Sequence, residues 1–222
     1  MTDDEFFEPR QRMLALIAAK TIYSCAQLRK AALGARVMAA LAKVPRHEFV
    51  PLEMQPYAYA DSPLPIGFDK TISQPFIVAV MTDLLDLQPT DTVLEIGTGM
   101  GYQTAMLAEL AKRVYSVELI EELAEQAGWR LAGQGYANVE IRVGNGWHGW
   151  PEHAPFDKVI VTAAPELIPT SLIYQLKRGG KMIVPAGLPD AQQLILLEKD
   201  ASDSVATREI FAVLFSSLDD EI

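Results

Sequence analysis

The apolar and polar positions of this chain change their period near residue 45. Before that point, apolar residues recur at helical spacing in two stretches, Met13, Leu14 and Ile17 and then Val37, Met38 and Leu41. Ser24, with Gln27 three residues later, has the spacing of a capping box, which predicts a helix start there. Residues 1–44 are therefore predicted to form an N-terminal helical segment.

Residues 45–75 show no regular period. Seven of these 31 residues are proline or glycine, a composition that favours an ordered loop. Because a loop of this length in a compact domain is usually functional or a linker, we expect this region to serve a site or to join two parts of the fold.

From residue 76 onward, helical and extended patterns alternate. Helices are predicted over residues 76–87, 102–111, 121–131 and 169–176, and strands over residues 93–96, 114–117, 139–143, 158–162, 181–184, 193–197 and 210–215. Short, β-branched strands that alternate with helices are typical of a doubly wound, mostly parallel sheet with helices on both faces. In such α/β folds the ligand lies beyond the carboxyl ends of the strands.

Composition narrows the class of protein. Half of the 222 residues are hydrophobic and 22% are charged, which suits one folded domain over residues 1–222. The longest apolar runs, such as residues 13–19, stop far short of the roughly 20 residues of a membrane helix. The chain begins with acidic residues and without the pattern of a secretory signal. We expect a cytoplasmic protein with no membrane partner, acting as a monomer, although an oligomer stays open.

Charge and the scarcity of metal-binding residues disfavour a nucleic-acid-binding protein and a metalloprotein. The net charge is −10, and it is uneven: residues 1–60 carry eight Lys and Arg against six Asp and Glu, and the rest carry 11 against 23. An acidic body repels a phosphate backbone, so we expect no nucleic acid partner. Cys25 is alone, and the three histidines lack ligand spacing, so no metal is expected and each histidine is expected at the surface or in a loop.

The strongest local signal is V-L-E-I-G-T-G-M-G-Y at residues 93–102. It places three glycines between a strand and a helix, where they allow a tight turn and let a ligand approach backbone N–H groups. Glu118 closes the next strand, 19 residues after Gly99, where a carboxylate can accept from both hydroxyls of a ribose. The glycines alone could form a structural turn, but with Glu118 they favour nucleoside binding. Their G-x-G-x-G spacing disfavours a nicotinamide dehydrogenase.

Two other positions allow two interpretations each. Asn145 lies between two glycines after the third strand of this series, as part of a tight turn or as a side chain aimed at the exocyclic amine of an adenine. Ser73 precedes the helix predicted to start at residue 76. Its hydroxyl can cap that helix, or it can hold a carboxylate together with the exposed N–H groups there.

Several segments together resemble the protein-L-isoaspartate O-methyltransferase family. In order along the chain they are A-A-L-A-K-V-P-R-H-E-F-V-P at 39–51, L-P-I-G at 64–67, T-I-S-Q-P at 71–75, the glycine motif, G-W-P-E at 149–152 and V-T-A-A at 161–164. The T-I-S-Q-P segment is highly specific to that family. The glycine motif is shared by S-adenosylmethionine enzymes in general. The resemblance covers about residues 35–199.

The resemblance implies a Rossmann-like class I methyltransferase fold with S-adenosyl-L-methionine as methyl donor. The implied acceptors are L-isoaspartyl or D-aspartyl residues in damaged proteins and peptides. Residues 45–75 would then be a substrate-side region and residues 76–222 the cofactor-binding α/β core. Motifs and resemblance together give Ser73 as the candidate catalytic residue. The candidate cofactor-binding residues are Thr71, Ile72, Glu95, Gly97, Thr98, Gly99, Gly101, Glu118, Leu119, Asn145, Gly146 and Gln192.

Three positions depart from the family pattern. Asn145 stands where the family usually has Asp, Met100 where it has Ser, and Ser216-Ser217-Leu218 where it has Val-Pro-Leu. The first two concern the donor and the third concerns the peptide. A methyltransferase for another carboxylate or a small molecule and a non-catalytic adenosyl-binding module stay as alternatives.

Overall fold

The computed structural model describes residues 3–218. Its α-helices are α1 (Phe7–Tyr23), α2 (Cys25–Leu28), α3 (Ala35–Lys43), α4 (Pro75–Leu84), α5 (Tyr102–Ala108), α6 (Glu121–Gly133) and α7 (Thr170–Gln175). Its strands are β1 (Leu64–Gly67), β2 (Lys70–Ile72), β3 (Thr92–Ile96), β4 (Arg113–Glu118), β5 (Val139–Val143), β6 (Phe156–Val161), β7 (Leu176–Leu188), β8 (Ala191–Lys199) and β9 (Val205–Val213). Short 3-10 helices lie at Asp3–Phe6, Arg46–Phe49, Leu52–Tyr57, Gly146–His148 and Pro151–His153.

Seven strands form one sheet in the order β5-β4-β3-β6-β7-β8-β9. The first five of these strands are parallel, and β8 and β9 add two antiparallel strands at one edge. The chain winds outward from β3 to β5 and then returns to the other side of β3 as β6. The carboxyl ends of β3 and β6 therefore form the switch point where doubly wound sheets bind ligands. The predicted fold class is confirmed.

The two faces of the sheet have separate apolar clusters. Val93 on β3 belongs to the cluster that includes buried residues of α1 and α3 to α6, whereas Leu94 and Ile96 belong to a cluster with α7. This alternation follows from the two-residue period of a strand. Because both faces are covered, the central strands are apolar throughout, as the sequence pattern indicates. None of the helices in residues 3–218 combines the length and apolarity needed to cross a membrane.

The N-terminal helical segment is confirmed, but the capping box within it is wrong. Helix α1 continues to Tyr23, and the N–H of Ser24 bonds to the carbonyl of Lys20. The Ser24 side chain makes no cap hydrogen bond to α2. The backbone at this junction is already bonded within α1, so the hydroxyl is not required as a cap.

The region at residues 45–75 is more regular than a loop. Two 3-10 helices are followed by the hairpin β1–β2, in which Leu64 pairs with Ile72. His47 is buried, stacked on Phe6 with ring centroids 3.9 Å apart, and its Nδ1 lies 2.9 Å from the Tyr59 hydroxyl. The expectation of a histidine at the surface or in a loop is therefore wrong for His47, because it lies in the 3-10 helix Arg46–Phe49 and contacts from the distant N-terminal segment bury it.

Some predicted boundaries also differ. Strand β7 extends far beyond residues 181–184 because β8 pairs with it antiparallel from Lys181 to Leu188. Strand β9 ends at Val213, before the predicted end at 215, and begins at Val205 in a stretch of exposed residues. Backbone pairing at a sheet edge tolerates polar side chains, so apolar periodicity marks only the buried part of such strands.

Candidate active site

The turn after β3 forms the floor of the site. The N–H of Gly97 donates to the carbonyl of Val117, and the Thr162 hydroxyl donates to the carbonyl of Gly97. Gly97 has φ of 91°, and a Cβ there would lie 2.4 Å from the Thr162 Oγ1. Any larger residue would push β3 and β6 apart at the switch point, so glycine is required here by packing as well as by conformation.

Glu118 is held against this turn at the carboxyl end of β4. Its Oε2 accepts from the N–H of Gly99 at 2.7 Å, and its Oε1 accepts from the N–H of Ile120 at 3.1 Å. The residue is only 7% exposed, yet it lines a cleft of about 410 Å³. A carboxylate oxygen has two lone pairs, so each can still accept a hydrogen bond from a ligand hydroxyl.

The cleft combines an apolar wall with the carboxylate of Glu118, and its lining also includes the charged residues Asp69 and Lys70. Its volume falls in the usual range of small-molecule sites. The lining includes six of the predicted site residues, namely Thr71, Gly97, Gly99, Glu118, Leu119 and Gly146, beside apolar side chains that include Ile96, Val117, Ile120 and Leu123. Backbone amides, one carboxylate and apolar surface are what a nucleoside with an adenine ring needs.

Two predicted residues lie beneath the cleft instead of lining it. Glu95 is fully buried, and its Oε2 accepts from the hydroxyls of Thr104 and Ser116 at 2.6 Å. Ser116 is in turn 2.6 Å from the Thr98 hydroxyl. Burial raises the pKa of Glu95 to about 8, so its carboxyl is protonated at neutral pH. These residues support the turn from below.

Asn145 does not line the cleft. Its Oδ1 accepts from the N–H of Trp147 at 2.8 Å and thereby caps the 3-10 helix Gly146–His148. The structure supports the interpretation of Asn145 as a turn residue, while a contact with adenine stays a prediction. Gly146 does line the cleft, and a Cβ there would lie 2.4 Å from Ile96 Cγ2.

The other predicted cofactor-binding residues are spread around the cleft. Ile72 and Thr98 line a small adjoining cavity of about 50 Å³. Gly101 precedes α5 with φ of 94° and packs against α6. The Gln192 side chain bonds both the N–H and the carbonyl of Phe215. Gln192 therefore positions the segment that follows β9.

A second cleft of about 450 Å³ adjoins the first. Its lining includes Ser73, and it shares Thr71, Thr162 and Ser216 with the cleft at Glu118. No group among residues 3–218 hydrogen-bonds to the half-buried Ser73 hydroxyl. A ligand in the second cleft can therefore reach both this hydroxyl and the contents of the first cleft.

The predicted capping role of Ser73 is wrong. Helix α4 has Gln74 at its N-cap position, without a side-chain cap bond from that residue. The carboxylate of Asp61 accepts instead from the N–H of Phe76 at 2.8 Å and from the Gln74 amide at 2.9 Å. Lys20 of α1 pairs with the same carboxylate at 2.5 Å. The cap comes from a residue 15 positions earlier, which local spacing cannot reveal.

Arg46 holds the backbone of Ser73 beside the second cleft, and the sequence patterns by themselves did not single it out. Its guanidinium is fully buried, donates to the carbonyls of Ala58 and Ser73 at 2.8 Å, and lies 4.7 Å from the centre of the Tyr102 ring. Burial lowers its pKa to about 10, which leaves it charged at neutral pH. Its position in the P-R-H-E-F-V-P run was the available signal.

The segment after β9 lines both clefts. The N–H of Ala164 donates to the carbonyl of Ser216, and the N–H of Leu218 donates to the carbonyl of Ala164. The Trp147 indole donates to the carbonyl of Leu218 at 3.2 Å. The residues that depart from the family pattern at 216–218 thus lie on the wall of the cleft. Within residues 3–218, no group of three His, Cys, Asp or Glu side chains is placed to hold a metal.

The fold and this cleft are those of the class I methyltransferases, Rossmann-like enzymes that bind an adenosyl donor. Residues 23–222 match the family model described as protein-L-isoaspartate(D-aspartate) O-methyltransferase. The chain belongs to that family, and the resemblance carried by its motifs is confirmed.

Curated relatives agree with this assignment. The chain is 71% identical over 220 residues to protein-L-isoaspartate O-methyltransferase 1 of Polaromonas sp. (strain JS666 / ATCC BAA-500). The aligned residues cover 99% of this chain and 93% of that protein. It is 52% identical to protein-L-isoaspartate O-methyltransferase 2 of Syntrophobacter fumaroxidans, over 97% of this chain and 88% of the relative.

Two solved structures resemble this chain over most of its length. One named protein-L-isoaspartate O-methyltransferase has a TM-score of 0.80 and 27% identity, covering 94% of this chain and 65% of its own chain. A second is a putative enzyme of this name from Plasmodium falciparum in complex with S-adenosyl-L-homocysteine. It has a TM-score of 0.74 and 22% identity, covers 85% of this chain and 92% of its own, and shares the fold.

Proposed function

We propose that this protein transfers a methyl group from S-adenosyl-L-methionine to the free carboxylate of L-isoaspartyl or D-aspartyl residues in damaged proteins and peptides. Family membership supports this activity. The observation that carries it is the junction of two clefts at Thr71, Thr162 and Ser216. A donor beside Glu118 and an acceptor beside Ser73 would meet at that junction.

The residues of the first cleft fit an adenosyl donor. Glu118 would accept from the ribose hydroxyls while its own position is fixed by Gly99 and Ile120. Leu119 and Gly146 would contact the nucleoside, and the glycine turn would admit it closely. We propose indirect roles for Glu95, Thr98, Gly101 and Gln192, which hold the elements that line the cleft, and a place for Asn145 at the adenine end.

When bound, S-adenosylmethionine supplies a methyl group attached to a positively charged sulfur. A free carboxylate has a reference pKa near 4, so it is ionised at neutral pH and no residue has to remove a proton. The Ser73 hydroxyl would donate to one carboxylate oxygen and hold the other towards the junction of the clefts. Alignment of this kind, with water excluded, is the main contribution expected from the protein.

Methylation turns the carboxylate into an ester, whose carbonyl carbon is a better electrophile and whose methoxy group can leave as methanol. Attack by the following backbone amide nitrogen on the ester carbonyl expels methanol and closes a succinimide ring. Hydrolysis of the ring then yields normal aspartate in part of the molecules. These later steps need no group from the enzyme. Among the described residues, the lining of the second cleft includes the Ser73 hydroxyl and no acidic or basic side chain.

We also propose a single methyltransferase domain over residues 1–222 that works in the cytoplasm as a monomer, without a nucleic acid partner. The continuous core that joins α1 and α3 to the sheet helices supports one domain. The net charge of −10 supports the absence of nucleic acid.

The test is a methylation assay with two peptides that differ only in an isoaspartyl or a normal aspartyl linkage. We expect methyl transfer to the isoaspartyl peptide alone. Equal transfer to both peptides would indicate a different carboxylate acceptor. Donor binding by calorimetry with no transfer to either peptide would indicate a non-catalytic adenosyl-binding module.

A further inference from the structure

The hairpin β1–β2 turns through two residues with unusual backbone angles. Gly67 pairs with Lys70, and the residues between them, Phe68 and Asp69, have φ of 53° and 55°. Positive φ at both positions is what a tight hairpin turn requires, and Asn-Gly is the sequence that adopts it most readily. A bulky aromatic residue in this region of φ is rare and costs stability.

Phe68 differs from the other residues with positive φ. Among residues 3–218, the non-glycine residues with this conformation are Arg29, Phe68, Asp69, Asp86 and Asp203. Three of the other four are aspartates, which tolerate the left-handed region through local hydrogen bonds. Arg29 is the left-handed residue that ends α2. Phe68 has neither explanation, because an aromatic ring gains nothing from this conformation. A strained conformation at a ligand cleft indicates that the side chain is needed where the strain holds it.

The turn lies on the wall of the cleft that contains Glu118. Phe68, Asp69 and Lys70 line this cleft, and Phe68 is 51% exposed. The same hairpin packs on the glycine turn, since a Cβ at Gly99 would lie 3.3 Å from the Ile66 Cδ1. The hairpin is therefore anchored next to the carboxylate, and the apolar ring of Phe68 is left for a ligand to cover.

We propose that Phe68 is a donor-binding residue whose ring packs on the adenosyl donor, and that the strained turn is kept because it holds the ring over the cleft. This inference rests on the proposed function, because it takes the ligand of the cleft to be that donor. An aromatic face suits both parts of such a ligand: it offers apolar contact to the nucleoside and attraction to the positive sulfur.

The test replaces the turn by the sequence that its backbone favours. The double variant Phe68→Asn with Asp69→Gly removes the ring and relieves both positive-φ positions. We expect its melting temperature to rise by about 2–4 °C or more, while the Kd of S-adenosylhomocysteine, measured by titration calorimetry, increases about tenfold. Stability and binding are thus expected to change in opposite directions.

Asp86→Gly is the matched control. Asp86 has φ of 53°, is exposed, and lines none of the described clefts. Relief of strain there should raise the melting temperature with the Kd unchanged. Phe68→Ala, which keeps Asp69, tests the ring alone in case the double variant does not fold, and it is expected to weaken binding about tenfold.

The outcomes separate this inference from the proposed function. Binding by wild type and by both variants with the same Kd would overturn the role of Phe68 alone. Weaker binding together with a lower melting temperature in both variants would also overturn it, since the turn would then serve only the fold. Absence of binding by the wild-type protein would overturn the proposed donor and this inference with it.

Discussion

The two halves of the site are built in different ways. We call the cleft proposed for the donor the donor half, and it consists of backbone at strand ends, where the N–H groups of Gly99 and Ile120 hold Glu118. We call the cleft proposed for the acceptor the acceptor half, and it depends on side chains from remote segments: Arg46 bonds the carbonyl of Ser73, and Lys20 pairs with the Asp61 carboxylate that caps α4. The first half follows from the sheet, whereas the second follows from how other segments pack around it.

This difference teaches where each half is vulnerable. Backbone hydrogen bonds in the donor half persist as long as the sheet is intact, so one side-chain change should affect binding without altering the fold. The acceptor half is held by buried charges whose loss leaves carbonyls or carboxylates without partners. A single substitution should therefore change either donor affinity or kcat/KM for the peptide, and leave the other quantity unchanged.

The largest effect on donor binding is expected for Glu118→Ala. Loss of the ribose acceptor should weaken binding of S-adenosylhomocysteine by about 3 kcal/mol, roughly a hundredfold. Titration calorimetry measures it, with Glu122→Gln on the exposed face of α6 as control. Equal affinity in wild type and Glu118→Ala would remove Glu118 from the donor site.

Ser73→Ala is the corresponding change in the acceptor half. Because Ser73 does not cap α4, the variant should keep its stability within about 0.5 kcal/mol. Its kcat/KM for an isoaspartyl peptide should fall roughly 30-fold, which corresponds to about 2 kcal/mol less stabilisation of the transition state, while the donor affinity stays unchanged. Asp61→Ala is the contrast, since it removes the actual cap and should lose stability by about 1 kcal/mol. Wild-type kcat/KM in Ser73→Ala would refute a role in holding the acceptor.

Glu95→Gln tests whether Glu95 supports the donor half from beneath without contacting the donor itself. Burial raises the Glu95 pKa from 4.5 to about 8, so the folded state binds more protons than the unfolded chain between these values. Wild-type stability therefore falls as pH rises through that window. The variant cannot titrate, so its stability relative to wild type should grow from pH 5 to 8, by up to about 1.4 kcal/mol per pH unit.

Urea denaturation at pH 5, 6, 7 and 8 measures this difference, with Glu125→Gln on the surface of α6 as control. Donor affinity at pH 7 should be unchanged, because the carboxyl is already neutral there and does not line the cleft. Parallel stability curves for wild type and variant would mean that Glu95 ionises in the folded state at an ordinary pH.

Lys20→Met tests whether α1 supports the acceptor half. Asp61 would keep its bonds to Gln74 and Phe76 but lose its cationic partner. We expect about 1 kcal/mol lower stability and a several-fold lower kcat/KM for the peptide, with donor affinity unchanged. Arg12→Met on the same helix breaks only an exposed pair with Glu8 and should change neither quantity. If the two variants have the same stability and the same kcat/KM, the ion pair made by α1 does not support the site.

The smallest effect is expected for Asn145→Asp. The Asn145 Oδ1 already accepts from Trp147, and an aspartate can do the same. If the side chain also reaches the adenine amine, the charged oxygen should tighten donor binding by less than about 1 kcal/mol. Weaker binding on calorimetry would contradict that placement and leave Asn145 as a turn residue.

Most of the donor half could be predicted from the sequence. Strand β3, the glycines and Glu118 lie within 26 residues of one another, and the rule that ligands bind at the carboxyl ends of parallel strands joins them. The sequence did not show which residues line the cleft and which support it from beneath. Glu95 is part of the motif but lies beneath the cleft, because alternate residues of a strand face opposite sides of the sheet.

In the acceptor half, residues 45–75 were expected on the substrate side, and Ser73 was the candidate catalytic residue with two interpretations, a helix cap or a hold on a carboxylate. The cap interpretation is wrong, because Asp61 provides that cap. His47 was expected at the surface or in a loop, yet it is buried against Phe6 and Tyr59. Such errors share one cause: each depends on a contact between residues far apart in the chain, and local patterns carry no information on distant partners.

The sequence by itself determined the α/β class, the family, the glycine turn and its strand-end carboxylate, because periodicity and close spacing act through short stretches of backbone. Only the tertiary structure decided which groups cap α4, bury Arg46 and leave the Ser73 hydroxyl open to the second cleft. Those properties arise from side chains that meet only when the helical segment, the hairpin and the sheet have packed together, since burial and hydrogen-bond partners are set by all neighbours at once.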